Sequence, residues 1–130
     1  MTTPATGPSQ IPILTLSFKA GATLATKQFY FVKLNANRQV IVCAATTDKP
    51  IGILQNSPAS DEEAEVMVIG QSKISADATL AVNDRVMTSA DGQGAVAVSS
   101  GYAVGQVIQG AAAGEIAEVV ISCANPTLLA

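Results

Sequence analysis

The strongest constraint on this chain is that it repeats itself. The hexapeptide AGATLA at 20–25 returns as ADATLA at 76–81, fifty-six residues further on. At that spacing Val40 and Val42 meet Val96 and Val98, and the turn residues Asn35–Asn37 meet Asp91–Gln93. With the spacing shortened to fifty-three, IGILQNSPASDEEAEVMV (51–68) lies over VGQVIQGAAAGEIAEVVI (104–121) without a further gap. Gly52 then meets Gly105, Glu62 meets Glu115 and Glu65 meets Glu118. Turn residues, apolar runs and a glycine recur in the same order, which is the mark of a duplicated structural unit. The two copies span about 20–69 and 76–121, and QSKIS (71–75) reads as the linker between them.

Each copy is built for strands. No long segment carries apolar residues at helical spacing, whereas short β-branched and aromatic runs are bounded by Gly, Pro, Asn and Asp. Strands are expected near 13–18, 29–34, 38–44, 50–55 and 65–70, then near 84–89, 94–99, 103–109 and 116–123. NANR (35–38) and DGQG (91–94) supply the residues that tight hairpins need. A single small sheet cannot cover its own apolar face. Two copies packed together can, so the expected fold is all-β, a small barrel or sandwich made of two tandem pseudo-repeats.

The ends differ from this middle. Residues 1–12, MTTPATGPSQIP, carry three prolines among small polar residues and read as an extended arm. The expected organisation is an arm with a first short strand (1–18), one β domain (19–123) and a tail (124–130) broken by Pro126. No basic-apolar-small leader opens the chain, so no secretory signal is expected. IPILTLSF is far too short to span a bilayer.

The repeat also decides what the glycines do. Those in GYAVGQVIQGAAAGEIAEVVI (101–121) could suggest a phosphate cradle. Gly105 has its counterpart in Gly52, inside a strand, where glycine marks a bulge or a close backbone approach. Gly110 and Gly114 fall on Ser57 and Asp61, which are turn residues. A phosphate loop also needs a helix opening behind it, and EIAEVVI alternates like a strand.

Composition removes most chemistry. The chain of 130 residues contains no His and no Trp, and its net charge is −3. Without His, Ser or Cys nucleophiles lose their usual base, and the commonest nitrogen metal ligand is absent. The seven Lys and Arg are scattered singly, so the basic stripe needed for nucleic acid is missing. Asp61, Glu62, Glu63 and Glu65 cluster, but without the ligand spacing or turning glycine of a calcium loop. They read as a solvated acidic loop. Cys43 and Cys123 lack metal-ligand spacing and are expected as reduced, buried thiols, with a disulfide left open. No catalytic residue, metal or cofactor is expected. Apolar residues reach 48% and charged residues only 13%, a surface so poor in charge that partners are expected to cover part of it.

One asymmetry bears on such a partner. Arg85, Met87 and Ser89 share a strand face whose equivalent in the first copy holds Phe29, Phe31 and Lys33. If the second copy turns this face outward, Phe29 and Phe31 are a candidate subunit interface. The other reading places both rings in the core.

These features together resemble the small decoration (cement) proteins on the heads of tailed bacteriophages. The resemblance rests on AGATLA, the hairpin and valine pairs, PIGIL before an acidic loop, and EVMVIG. It continues through ADATLAVNDRVMTSADGQG and AVGQVIQGAAAGEIAEVVI, covering about 20–121. It implies a β domain, commonly a homotrimer, that binds the outer capsid surface and stabilises the shell by bridging major capsid subunits. It further implies virion localisation after synthesis in the bacterial cytoplasm. By position, the capsid-binding arm would be residues 2–18, with Ile11, Pro12, Ile13, Leu14 and Leu16 as anchors. Neither nucleic acid nor membrane is an expected partner. Two rivals are a carbohydrate- or receptor-binding β module, poorly supplied with aromatics, and a hydrolase using Glu62/Glu115 or Glu65/Glu118. The second lacks any positioned partner for those carboxylates.

Overall fold

Short β-branched runs that cannot bury both faces alone must share a sheet, and here nearly all of them share one. The computed structural model describes residues 10–129, so the first nine residues of the expected arm lie outside it. Eleven strands follow in order: β1 (Ile11–Lys19), β2 (Phe31–Leu34), β3 (Val40–Val42), β4 (Gly52–Leu54), β5 (Glu63–Ser75) and β6 (Arg85–Thr88). The series continues with β7 (Gly94–Val96), β8 (Tyr102–Ala103), β9 (Gly105–Gln109), β10 (Ile116–Ser122) and β11 (Thr127–Leu128). No helix forms among the described residues. Nine strands make one antiparallel sheet in the order β3-β2-β4-β5-β10-β9-β6-β7, with β1 also paired to β5. The sheet curls into a half-barrel, and β11 pairs with β8 in a small ribbon. The tail after Pro126 therefore returns to the body through Thr127 and Leu128.

The order of strands is a palindrome, and hydrogen bonds show why. Phe29 N–H donates to Leu54 O, and Asn83 N–H to Val107 O. Leu24 N–H donates to Pro58 O, and Leu80 N–H to Ala111 O. Ala20 N–H donates to Glu62 O, and Ala76 N–H to Glu115 O. Left-handed backbone recurs as well, at Phe29 and Asn83 and at Asp61 and Gly114. The duplication is thus a property of the backbone.

The hairpins correct the alignment. Asn35 Oδ1 accepts from the N–H of Asn37 and Gln39, and Ser89 Oγ accepts from the N–H of Asp91 and Gln93. Asn35 therefore corresponds to Ser89, not Asp91, and the spacing here is fifty-four. Val40 and Val42 correspond to Gly94 and Val96, and Phe31 to Arg85. The first copy holds two more residues in the turn around Lys27, where Tyr30 N–H closes on Lys27 O. That turn also delays the strand expected at 29–34, which begins two residues later, at Phe31, and ends at Leu34 as expected.

QSKIS is not a linker. It is the second half of the 13-residue strand β5, on which Ser72, Ile74 and Ser75 are buried. Ile116–Ser122 pairs along it in unbroken antiparallel register. β1 pairs with the first half of β5 in the corresponding register, Lys19 opposite Glu63 as Ser75 is opposite Ile116. Each repeat therefore begins one strand earlier than the sequence indicates. The first starts at β1, and β5 closes it and opens the second.

Burial separates into two centres. Ala20, Leu24, Val32, Val40, Leu54, Ala64 and Val66 form the private core of the first repeat. Their counterparts Ala76, Leu80, Val86, Val107, Ala117 and Val119 lie inside a larger cluster. Phe31, Ile53 and Met67 of the first repeat join that larger cluster and weld the halves together.

Gly52 and Gly105 hold equivalent places in these cores. A Cβ on Gly52 would lie 2.3 Å from Met67 O, and one on Gly105 would lie 2.1 Å from Val120 O. Both strands approach a neighbouring backbone too closely for any side chain.

Candidate interaction surface

Edge strands offer backbone groups, and β1 offers apolar side chains too. It carries the expected arm residues, and all of them are exposed. Ile13 is 77% accessible and Ile11 58%, with Pro12, Leu14 and Leu16 also open. Only β5 pairs with β1 among the described strands, which leaves its other edge unpaired. Register shifts at Leu14 tilt the strand, so apolar side chains leave it in more than one direction. Ile11 and Ile13 join Ile69, Val120 and Ile121 along a shallow groove of about 220 Å3. No charged side chain lines this groove. Val120 then continues to Ile108 and Val82 across β9 and β10.

A second feature lies at the other end of β1. A cleft of about 460 Å3 is lined by Ser17, Phe18, Lys19, Arg38 and Glu63, among others. Arg38 has a left-handed backbone and its guanidinium lies over the Phe18 ring at 5.7 Å.

The two phenylalanines separate. Phe31 is fully buried at the centre of the larger cluster, so its ring cannot serve a subunit interface. The contact that it makes is internal, between the repeats. Phe29 is half-buried against the same cluster, with Lys73 Nζ 5.4 Å from its ring centroid. The face expected to be shared by Arg85, Met87 and Ser89 is also revised. Met87 and Ser89 are buried, and only Arg85 is open.

The carboxylates of the acidic loop and its counterpart support turns. Glu62 accepts from Ala59 N–H at 2.8 Å, and Glu115 from Ala112 N–H at 3.1 Å. Asp48 accepts from Lys33 Nζ at 2.9 Å and from the N–H of Ala44 and Ala45. Partial burial alone would raise the Asp48 pKa, but these bonds outweigh it and hold the carboxyl below its ordinary value. Cys43 and Cys123 are free and buried. Burial is the main cause that pushes each thiol up to about 12, so both stay protonated at neutral pH.

The chain shares its fold with a phage protein. The structure of the head fiber gp8.5 N base of bacteriophage phi29 superposes with a TM-score of 0.64 at 14% identity. The match covers 85% of this chain and 94% of that one. No protein-family description matches the sequence, and no curated protein matches it.

Sequence reasoning placed the apolar residues of β1 in the arm, and the structure sets them along an open sheet edge. It missed Val82, Ile108 and Val120, and the cleft formed by Lys19, Arg38 and Glu63. The signal for the first group lay in the repeat: Ile108 stands where the first copy has Gln55, and Val120 where it has Met67.

Proposed function

We propose that this protein is a structural component of a phage virion, a non-enzymatic homotrimer that decorates the outer surface of the head. In this reading it stabilises the shell by bridging major capsid subunits. The observation that carries it is β1, an edge strand with Ile11, Ile13 and Leu14 open to solvent beside an uncharged groove. Exposed, unguarded apolar edges are a liability for a free protein and an asset for one that adds a partner strand. Main-chain bonds would supply affinity and the isoleucines would fill pockets, while repetition over a shell multiplies modest contacts. The fold shared with a phage head-fibre base supports a place on the head.

Removal of residues 2–12 tests this reading. The truncated protein is expected to keep its sheet by circular dichroism and to lose co-sedimentation with expanded heads. Undiminished co-sedimentation would sink the arm mechanism. A glycan array that binds the full chain strongly would favour a carbohydrate-binding module instead.

A further inference from the structure

The two repeats meet through a contact that has a vacant twin on the outside. Inside the molecule, Phe29–Phe31 of the first repeat lies between the end of β5 and the tip of the second hairpin. Ser75 N–H donates to Phe29 O at 2.9 Å, and Phe31 N–H donates to Gly92 O at 2.6 Å. Beside them, Gln55 Nε2 donates to Ser72 Oγ at 3.0 Å, and Lys73 lies over the Phe29 ring.

Transferred by the repeat, the receiving side of this contact becomes Leu16, Ser17, Lys19 and Arg38, which stand where the second copy has Ser72, Lys73, Ser75 and Gly92. Three of these residues, Ser17, Lys19 and Arg38, line the open cleft at the end of β1. The inserting side becomes Asn83–Arg85 with Ile108, which stand where the first copy has Phe29–Phe31 and Gln55. These line or flank open grooves on the second repeat. One molecule thus carries an empty socket at one end and an unused plug at the other.

Both sides have changed character together. The internal pair Gln55 and Ser72 is polar, and its external counterparts Ile108 and Leu16 are both apolar, at 39% and 37% exposure. The internal pair Phe29 and Lys73 is ring and cation, and its counterparts Asn83 and Ser17 are both neutral and polar. The internal insert Phe-Tyr-Phe enters a largely uncharged site, whereas Asn83-Asp84-Arg85 would enter a cleft holding Lys19, Arg38 and Glu63. Solvated surfaces have no reason to keep such partners matched.

We propose that a second copy of this chain fills the cleft, with its Asn83–Arg85 segment and Ile108 docking on Leu16–Lys19 of its neighbour. The contact is heterologous, one end of each molecule on the opposite end of the next, and such contacts close into rings when the rotation allows. This deepens the homotrimer of the proposed function and names its interface. It rests on that oligomer but not on capsid binding, which uses Ile11–Leu14 at the other end of β1; Leu16, an expected arm anchor, is assigned here to the subunit contact instead.

Cysteine pairs test it in the full chain. L16C and I108C variants are prepared separately and mixed with oxidised glutathione. A disulfide-linked dimer is expected only in the mixture, because a head-to-tail contact never brings position 16 to position 16. Cross-linking of either variant alone, or of none, would overturn the arrangement. Light scattering supplies the second arm. L16K and I108E should each shift the oligomer towards monomer by about tenfold in dissociation constant, and the double variant should restore it. Oligomers indifferent to both single changes would equally refute the contact. Loss of head binding on removal of residues 2–12, with the oligomer intact, would separate the two surfaces.

Discussion

The two repeats have the same backbone and opposite fates. In the first, Phe31, Ile53 and Met67 are sealed at the junction of the halves. In the second, the same positions are Arg85, Gln106 and Val120, all exposed. Hydrogen bonds, turn types and close approaches are common to both copies, so they belong to the unit itself. Side-chain identity on one face records only whether another unit covers it. Within a duplicated fold, burial at a given position is therefore a statement about neighbours, not about local conformation.

The sharpest way to break this comparison is to truncate one position in both copies. Phe31→Ala should cost about 3–5 kcal/mol, since it empties the centre of the shared cluster. Arg85→Ala should stay within about 0.5 kcal/mol when measured at dilutions where the protein is monomeric, as exposed positions generally do. Urea unfolding of both variants reads the difference, and equal losses would contradict the opposite burial of these equivalent positions.

The glycines probe what the copies share. Gly52→Ala and Gly105→Ala each force a Cβ onto a backbone oxygen. Each is expected to cost about 2–3 kcal/mol, by overpacking that no rotamer can relieve. Similar losses in the same unfolding assay would support the shared geometry. A tolerated substitution at either site would show that the approach there is looser.

The smallest effect has opposite signs in the two copies. Asp61 and Gly114 occupy the same left-handed position, with φ of 67° and 84°. Asp61→Gly should gain up to about 1 kcal/mol by relieving strain, and Gly114→Ala should lose about 1 kcal/mol. Thermal midpoints moving in opposite directions would verify this reading of the turn.

Much of the architecture was legible because turns and glycines are local. AGATLA and the 51–68 block aligned correctly, since no insertion interrupts either. The hairpin was misaligned for a physical reason. A strand has a period of two, so a slip of two residues still lays valine on valine and keeps every side chain on its face. The bonds made by Asn35 and Ser89, and the left-handed turns at Phe29 and Asn83, reveal the true spacing. QSKIS was misread because a strand buried between other strands can be polar when its hydroxyls find partners, as Ser72 and Ser75 do. For the candidate site, the apolar residues of β1 were visible in sequence. The slip hid that Arg85 replaces Phe31, and with it the exposed face of the second repeat.

β5 has one more consequence. A single strand that ends one repeat and begins the next leaves no seam at which the halves could melt separately. Fraying either half strips hydrogen bonds from the strand that the other half needs. The most slowly exchanging amides should therefore lie along Glu63–Ser75, with protection in both halves lost in one cooperative step. A fold held together in this way yields all at once or not at all.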